Sequence, residues 1–262
     1  MRRLHLSAGP GRDLGPPAPD LSLALDQLAD EGQPAAALPG LLEQVQALAP
    51  ATGAVEAVLE AEPAPPALAE IATAAGYQLT RTTLQLRRSL PLAPEVVARS
   101  LGAGQAPGAS GMRGFRPGHD EAPWVRVNNR AFAWHPDQSG WTVEDLERKE
   151  GEPWFRAEGF IVHEAASETG QPALDGFCWT KIHADTDPPL GEIYVIAVDP
   201  DGHGRGLGRT LVVAGLDWLA GQGLTDAMLY VEADNVAAVG LYRDLGFTEH
   251  QARRWWRRTL TH

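Results

Sequence analysis

An α/β fold is what this sequence predicts, and three observations predict it. The stretch 191–211 runs from a β-branched apolar segment (Ile193, Val195, Ile196, Val198) through Asp199-Pro200 into four alternate glycines, Gly202, Gly204, Gly206 and Gly208. A helix then opens at Leu207 and runs to Leu219. Before this turn, three strand-like segments at 159–164, 174–183 and 192–198 follow one another with no helix between them. Finally, both halves of the chain close in the same order, a helix ended by glycine, an aromatic residue and a strand, at Gly76-Tyr77 and at Gly246-Phe247.

Taken in order, residues 1–40 are rich in Ala, Pro and Gly, with one short helical segment at 21–29. A helix is expected at 38–49, where Leu41, Leu42, Val45 and Leu48 share a face. A strand follows at 54–60, then a helix at 66–75 stopped by Gly76, then a strand or hairpin at 77–88. Residues 91–118 hold Pro91, Pro94, Gly102, Gly104, Pro107, Gly108, Gly111 and Gly114, and read as a linker with a domain boundary. The division expected is therefore 1–90, a linker over 91–114, and 115–262. In the second part a helix at 122–133 turns Trp124, Val127 and Phe132 inward. Thr142 caps a helix at 143–149, with Asp145 three residues on. After the glycine turn and its helix come a strand at 227–232, a helix at 235–245 closed by Gly246, and a last strand or hairpin at 247–258.

Composition narrows the function. With 44 % hydrophobic residues in 262, a packed core is affordable, and no apolar run reaches the length of a membrane span. The start, Met1 to Leu6, is broken by Gly9, Pro10 and Gly11 and lacks the apolar core of a secretory signal. The single Cys178 forms no internal disulfide, which fits a reducing cytoplasm. A net charge of −12 argues against a general nucleic-acid binder. An anionic ligand then needs a local site. The glycine turn supplies one, because glycines let the backbone approach closely and the first N–H groups of a helix point at the ligand. Arg205 and Arg209 add positive charge there.

The strand residues Val195-Ile196-Ala197-Val198, the turn His203-Gly204-Arg205-Gly206-Leu207-Gly208, the segment Asn235-Val236-Ala237-Ala238-Val239-Gly240-Leu241-Tyr242 and the closing Leu245-Gly246-Phe247 together resemble the GNAT acetyltransferase family. That family's glycine motif is Gln/Arg-x-x-Gly-x-Gly/Ala. Gly206 and Gly208 match it, and His203 stands where Gln or Arg is usual, which weakens one pyrophosphate contact and spares the backbone ones. Four segments resemble the mycothiol synthase family: Asn128 to Thr142, Gly176 to His183, Gly191 to Pro200, and Leu229 to Asn235. The resemblance implies the GNAT fold, a mixed, mostly antiparallel sheet with helices on both faces, in a tandem arrangement whose N-terminal half is a shortened, degenerate copy without a glycine turn. It implies acetyl-CoA as co-substrate and acetylation of the cysteinyl amine of desacetylmycothiol (Cys-GlcN-Ins), giving mycothiol and coenzyme A. Metal is not needed for direct acyl transfer, and the His residues show no metal-ligand spacing.

Residue by residue, the resemblance makes Glu192 the general base and Tyr242 the general acid. Asp137, Lys181, Glu192 and Tyr230 match substrate-contacting positions, Asp137 standing where Glu is common. Acetyl-CoA falls to Ile196, Ala197 and Val198, to His203, Gly204, Arg205, Gly206, Leu207, Gly208 and Arg209, and to Asn235, Val236, Ala237, Ala238, Val239 and Gly240. The pyrophosphate would lie on the turn, and the pantetheine amides would pair with the strand. Two rivals stay open: a GNAT acting on peptide or ribosomal-protein N-termini, and a non-catalytic acetyl-CoA-sensing module. Cys178 reads as an inert buried thiol, and the arginines between Arg253 and Arg258 as a strand edge with its charges out. His135 and His183 flank the expected cleft, but nothing in the sequence gives them a role. A monomer is expected, binding small molecules and neither nucleic acid nor membrane.

Overall fold

The computed structural model describes residues 2–7, 40, 56–64, 66–101, 111–133, 139–165 and 173–260. The helix expected at 21–29 and, apart from residue 40, that at 38–49 lie outside the described residues. The elements run β1 (Arg2–Ser7), β2 (Glu56–Ala61), α1 (Pro66–Ala74), β3 (Gln78–Ser89), α2 (Pro94–Leu101), β4 (Met112–Gly114), α3 (Glu121–Ala131), α4 (Val143–Glu150), β5 (Phe160–Glu164), β6 (Leu174–His183), β7 (Leu190–Val198), α5 (Leu207–Gly221), β8 (Asp226–Glu232), α6 (Val236–Asp244) and β9 (Thr248–Thr259). Local chemistry sets several ends. Gly76 takes φ +79° after α1, where a side chain would be strained. At the start of α4 the Thr142 hydroxyl accepts from Asp145 N–H while the Asp145 carboxylate accepts from Thr142 N–H, a capping box. Among the described residues no helix is long and apolar enough to cross a membrane.

The chain packs as two compact units. The first comprises Met1–Leu86, Val231–Gly240 and Glu249–His262. Its strands lie in the order β1-β2-β9-β3, and the far end of β8 follows β3. β2 and β9 are antiparallel from Glu56↔Thr259 to Ala61↔Arg254. β9 is therefore not the edge strand that the sequence suggested. Its arginines divide between the two faces: Arg253 and Arg257 pair with Glu60 and Glu56 on the face of Trp255, which is flanked by the guanidiniums of Arg81 and Arg253 at 4.6 and 4.8 Å, while the half-buried Arg254 and Arg258, on the face of Trp256, donate to Ala64 O and Ala75 O.

The second unit comprises Arg87–Tyr230 and Leu241–Thr248. Its strands run β8-β7-β6-β5-β4, antiparallel except for the parallel pair β7–β8. α5 lies on one face so closely that a Cβ on Gly215 would come within 2.6 Å of Cys178 Sγ. The other face is an aromatic core, with Phe115, Phe160 and Trp179 stacked in sequence at 4.4 Å spacings beneath Trp124 of α3. The stretch expected to be a linker, 91–114, contains α2 and β4. α2 opens with proline at its first position, where a missing N–H costs nothing, and Glu95 favours the positive helix end. The limits of the two units fall at 86/87, 230/231, 240/241 and 248/249.

Candidate active site

The register of the second unit gathers the polar residues. Lys181 on β6 lies opposite Glu192 on β7, and Glu192 lies beside Met228 on β8. Side chains alternate along strands, so Lys181, His183, Glu192 and Tyr230 share one face of the sheet. Cys178, Thr180 and Ile193 share the other, against Gly215 of α5. A bulge interrupts β7: Trp179 pairs with Val195 and Thr180 with Ile193, which leaves Tyr194 without an opposite residue. Tyr194 shares the face of Glu192 by ordinary alternation, and the bulge brings Val195, opposite Trp179, onto that face as well. Lys181 Nζ sits 4.7 Å from the Trp154 ring centre and 5.5 Å from that of Tyr194. Burial, and then the nearby carboxylates of Glu192 and Glu152, hold the Tyr194 phenol above its ordinary pKa.

Glu192 is only 7 % exposed. Its Oε2 lies 2.7 Å from His183 Nε2. Although Lys181 and Glu192 are register partners, the ammonium is thus engaged by rings and the carboxylate by an imidazole. Tyr230, at 42 % exposure, lies on the same face. The ladder between β7 and β8 covers Gly191 to Ile193, while β7 itself continues to Val198.

Beyond β7 the turn is tightly specified. Asp199 caps a short 3₁₀ turn by accepting from Asp201 N–H at 3.1 Å, and the guanidiniums of Arg126 and Arg130 lie 3.5 and 3.4 Å from its carboxylate. Gly204 and Gly206 take φ +78° and +80°, with open space where a Cβ would be. Backbone conformation, rather than crowding, is what requires glycine at both. Gly206 is the N-cap of α5 and offers no side-chain acceptor to the first helical N–H groups. The local geometry therefore fits an anion resting on the backbone of Gly204 to Arg209. His203 Nε2 turns back to Val198 O at 3.0 Å, Arg205 stands 3.8 Å from Asp175, and Arg209 stands 3.9 Å from Asp244.

The remaining expected residues fall as follows. Tyr242 on α6 is 6 % exposed and packs edge-on to Phe247 at 5.8 Å. Burial, with a smaller contribution from Cys178, raises its phenol pKa and keeps it protonated throughout the neutral range. Cys178 is fully buried, and burial likewise raises its thiol. Asn235, in the first unit, caps α6 by accepting from Ala238 N–H at 3.2 Å. Val236, Ala237 and Gly240 are exposed and Val239 is buried. Asp137 and His135 lie outside the described residues. Three residues at this site were not singled out for a role by sequence reasoning, Trp154, Tyr194 and His183. A signal for His183 did exist: it lies two residues after Lys181, hence on the same strand face.

Residues 127–247 match the Acetyltransferase (GNAT) family. Among curated relatives, the mycothiol acetyltransferase of Thermobispora bispora is 46 % identical over 186 residues, 70 % of this chain and 59 % of that protein. That of Mycobacterium marinum is 47 % identical over 193 residues, 68 % of this chain and 57 % of that protein. That of Nocardia farcinica is 43 % identical over 200 residues, 75 % of this chain and 62 % of that protein. The chain thus spans less than two thirds of the length of these relatives. Among solved structures, a GCN5-related N-acetyltransferase from Sphaerobacter thermophilus overlays with a TM-score of 0.55 at 22 % identity, covering 74 % of this chain and 56 % of that one. The fold is that of the GNAT acetyltransferases, a mixed, mostly antiparallel sheet with helices packed on it.

Proposed function

The chain belongs to the GNAT acetyltransferase family, and from that premise we propose that it transfers the acetyl group of acetyl-CoA to the cysteinyl amine of desacetylmycothiol. The observation that carries this reading is the face on which buried Glu192, Lys181 and Tyr230 meet beside β7, on a chain more than 40 % identical to mycothiol acetyltransferases.

The chemistry follows from these groups. An α-amine has a pKa of about 8 and is mostly charged at neutral pH. Glu192 takes one proton, directly or through a water, and the freed lone pair attacks the thioester carbonyl. The C–N bond forms, the C–S bond breaks, Tyr242 supplies the proton that the departing thiolate accepts, and the second nitrogen proton, shed as the C–N bond forms, returns through water to the Tyr242 phenolate. The backbone of Gly204 to Arg209 holds the pyrophosphate. Ile196 to Val198, past the end of the β7–β8 ladder, pair with the pantetheine amides, and Ala197 N–H faces the thioester oxygen as it gains charge. Lys181, Tyr230 and Asp137 bind the hydroxyls of the pseudodisaccharide. No acyl-enzyme is needed, since one amine and one thioester held in line suffice. The single Cys178 supports a reducing compartment, the cytoplasm, as the place of reaction.

The test is a mass-spectrometric assay of the purified chain with acetyl-CoA and desacetylmycothiol, beside an N-terminal peptide amine. N-acetylation of the glycoside at a kcat/KM well above that of the peptide is expected. Tight acetyl-CoA binding with the glycoside left unmodified sinks the substrate assignment. Acetylated peptide would then point to the peptide rival, and no turnover at all to the sensor.

A further inference from the structure

We infer that His183 is a positioning residue for Glu192, holding one carboxylate oxygen so that the other is the basic atom. The inference rests on the acetyl-transfer reading above.

The geometry is specific. His183 is the next residue after Lys181 on that face of β6, and its Nε2 lies 2.7 Å from Glu192 Oε2. An ionised carboxylate only accepts hydrogen bonds, so at this distance Nε2 carries the hydrogen and donates it. The Glu192 side chain is 9 % exposed and that of His183 is 23 % exposed. Among the described residues the imidazole of His183 is what hydrogen-bonds this carboxylate, and Lys181, its register partner, is held over Trp154 and Tyr194 instead. The imidazole therefore sets which oxygen faces inward. With Oε2 occupied, the substrate ammonium's N–H bond breaks toward Oε1. The proton forms the O–H bond there, and the electron pair stays on nitrogen as the nucleophile. A base whose carboxylate is fixed in this way loses no reaction events to misorientation.

The experiment compares the full chain with His183→Ala, His183→Gln and Glu192→Gln, each checked for folding by circular dichroism. Gln places an amide N–H near the position of Nε2 without an ionisable ring. For His183→Ala, kcat for desacetylmycothiol should fall about 10- to 100-fold, as for other residues that orient a reactive group, while KM for acetyl-CoA stays within about twofold. His183→Gln should recover to within about fivefold of wild type, and free imidazole added to His183→Ala should restore part of its rate. Independently of activity, the His183 Nε2–H proton should appear in the NMR spectrum as a downfield, exchange-protected signal, and Glu192→Gln should shift it upfield. Wild-type kcat in His183→Ala, or a folded His183→Gln no better than His183→Ala, overturns the inference. If His183→Ala does not fold, a rate in His183→Gln more than 100-fold below wild type overturns it instead. If wild type acetylates no amine, the functional reading has failed, and the imidazole signal alone decides: unchanged in Glu192→Gln, it overturns the His183–Glu192 bond as well.

Discussion

Glu192 combines near-complete burial, a 2.7 Å hydrogen bond with His183 and a place two residues before an unpaired bulge residue. Replacing it by Gln keeps shape and polarity but removes the basic lone pair. We expect kcat to drop by about 10²–10⁴ with KM for acetyl-CoA within about twofold, measured by steady-state kinetics; an unaltered kcat would remove Glu192 from the base role. Glu150 supplies a different lesson. Burial, and then Glu121 and Glu147, push its carboxyl up to about 7, and its Oε1 has no hydrogen-bond partner. The sign is definite: the folded state holds this proton more tightly than the unfolded chain, so Glu150 costs stability as pH rises from about 4.5 to 7 and beyond. Glu150→Gln should therefore raise Tm at pH 8 and change it little at pH 4. Allowing for solvent screening at a partly exposed carboxyl, the gain is about 1–3 °C by calorimetry. At this scale the sequence was legible where motif and strand coincide. Lys181, Glu192 and Tyr230 were named from it, and the register places them on one face. Glu150 is not visible in the sequence, because its shift comes first from burial and then from Glu121, 29 positions away, both of which arise only on folding.

The glycine turn and α5 were legible as an element because each part has a local cause. Pro200 ends the strand's continuation, Gly204 and Gly206 need positive φ, and Gly206 opens a fifteen-residue helix. Gly206→Ala should strain the left-handed conformation by about 1–2 kcal/mol or pull the turn out of it. Because the space around it is open, the loss should fall on the backbone N–H directions rather than on packing. KM for acetyl-CoA is expected to rise about tenfold, with kcat changed less than threefold; isothermal titration with acetyl-CoA would reveal unchanged affinity if the turn holds no anion. Gly215→Ala is the opposite case. Its Cβ would meet Cys178 Sγ at 2.6 Å and Ile193 Cδ1 at 2.9 Å, between a helix and a sheet that cannot both give way. A destabilisation of about 1–3 kcal/mol should show as a Tm lowered by several degrees. Elements whose cause is not local were harder to read. α2 was missed because proline and glycine counts across 91–118 outweighed the four-residue start signal Pro94-Glu95-Val96-Val97. β9 reads as an edge because the arginines of Arg253-Arg254-Trp255-Trp256-Arg257-Arg258 look the same in sequence beside solvent as beside Glu56 and Glu60.

At the scale of the whole chain, the question is whether the first ninety residues are dispensable. Sequence order suggests so, since the glycine turn and the proposed base both lie after residue 115. Strand order argues otherwise. β9, the last strand, has β2 and β3 as its neighbours, and both come from the first ninety residues. A fragment 115–262 would carry β9 with neither ladder. Six register pairs from Glu56↔Thr259 to Ala61↔Arg254 would be lost, and Arg253 and Arg257 would lose their carboxylate partners. Trp256, 1 % exposed and paired with Leu59, would face water, and a bare strand with its ladder groups unpaired invites association. The cost is not offset by freeing a flexible arm, since burying one large aromatic side chain is worth about 1.5–3 kcal/mol by itself. We therefore expect the fragment to associate on size-exclusion chromatography and to give a poorly dispersed NMR spectrum, while the full chain unfolds cooperatively and binds one acetyl-CoA per chain, as its single glycine turn implies. A monomeric fragment with a dispersed spectrum and undiminished acetyl-CoA affinity would restore the boundary near residue 115 and reduce β2 and β3 to an appendage.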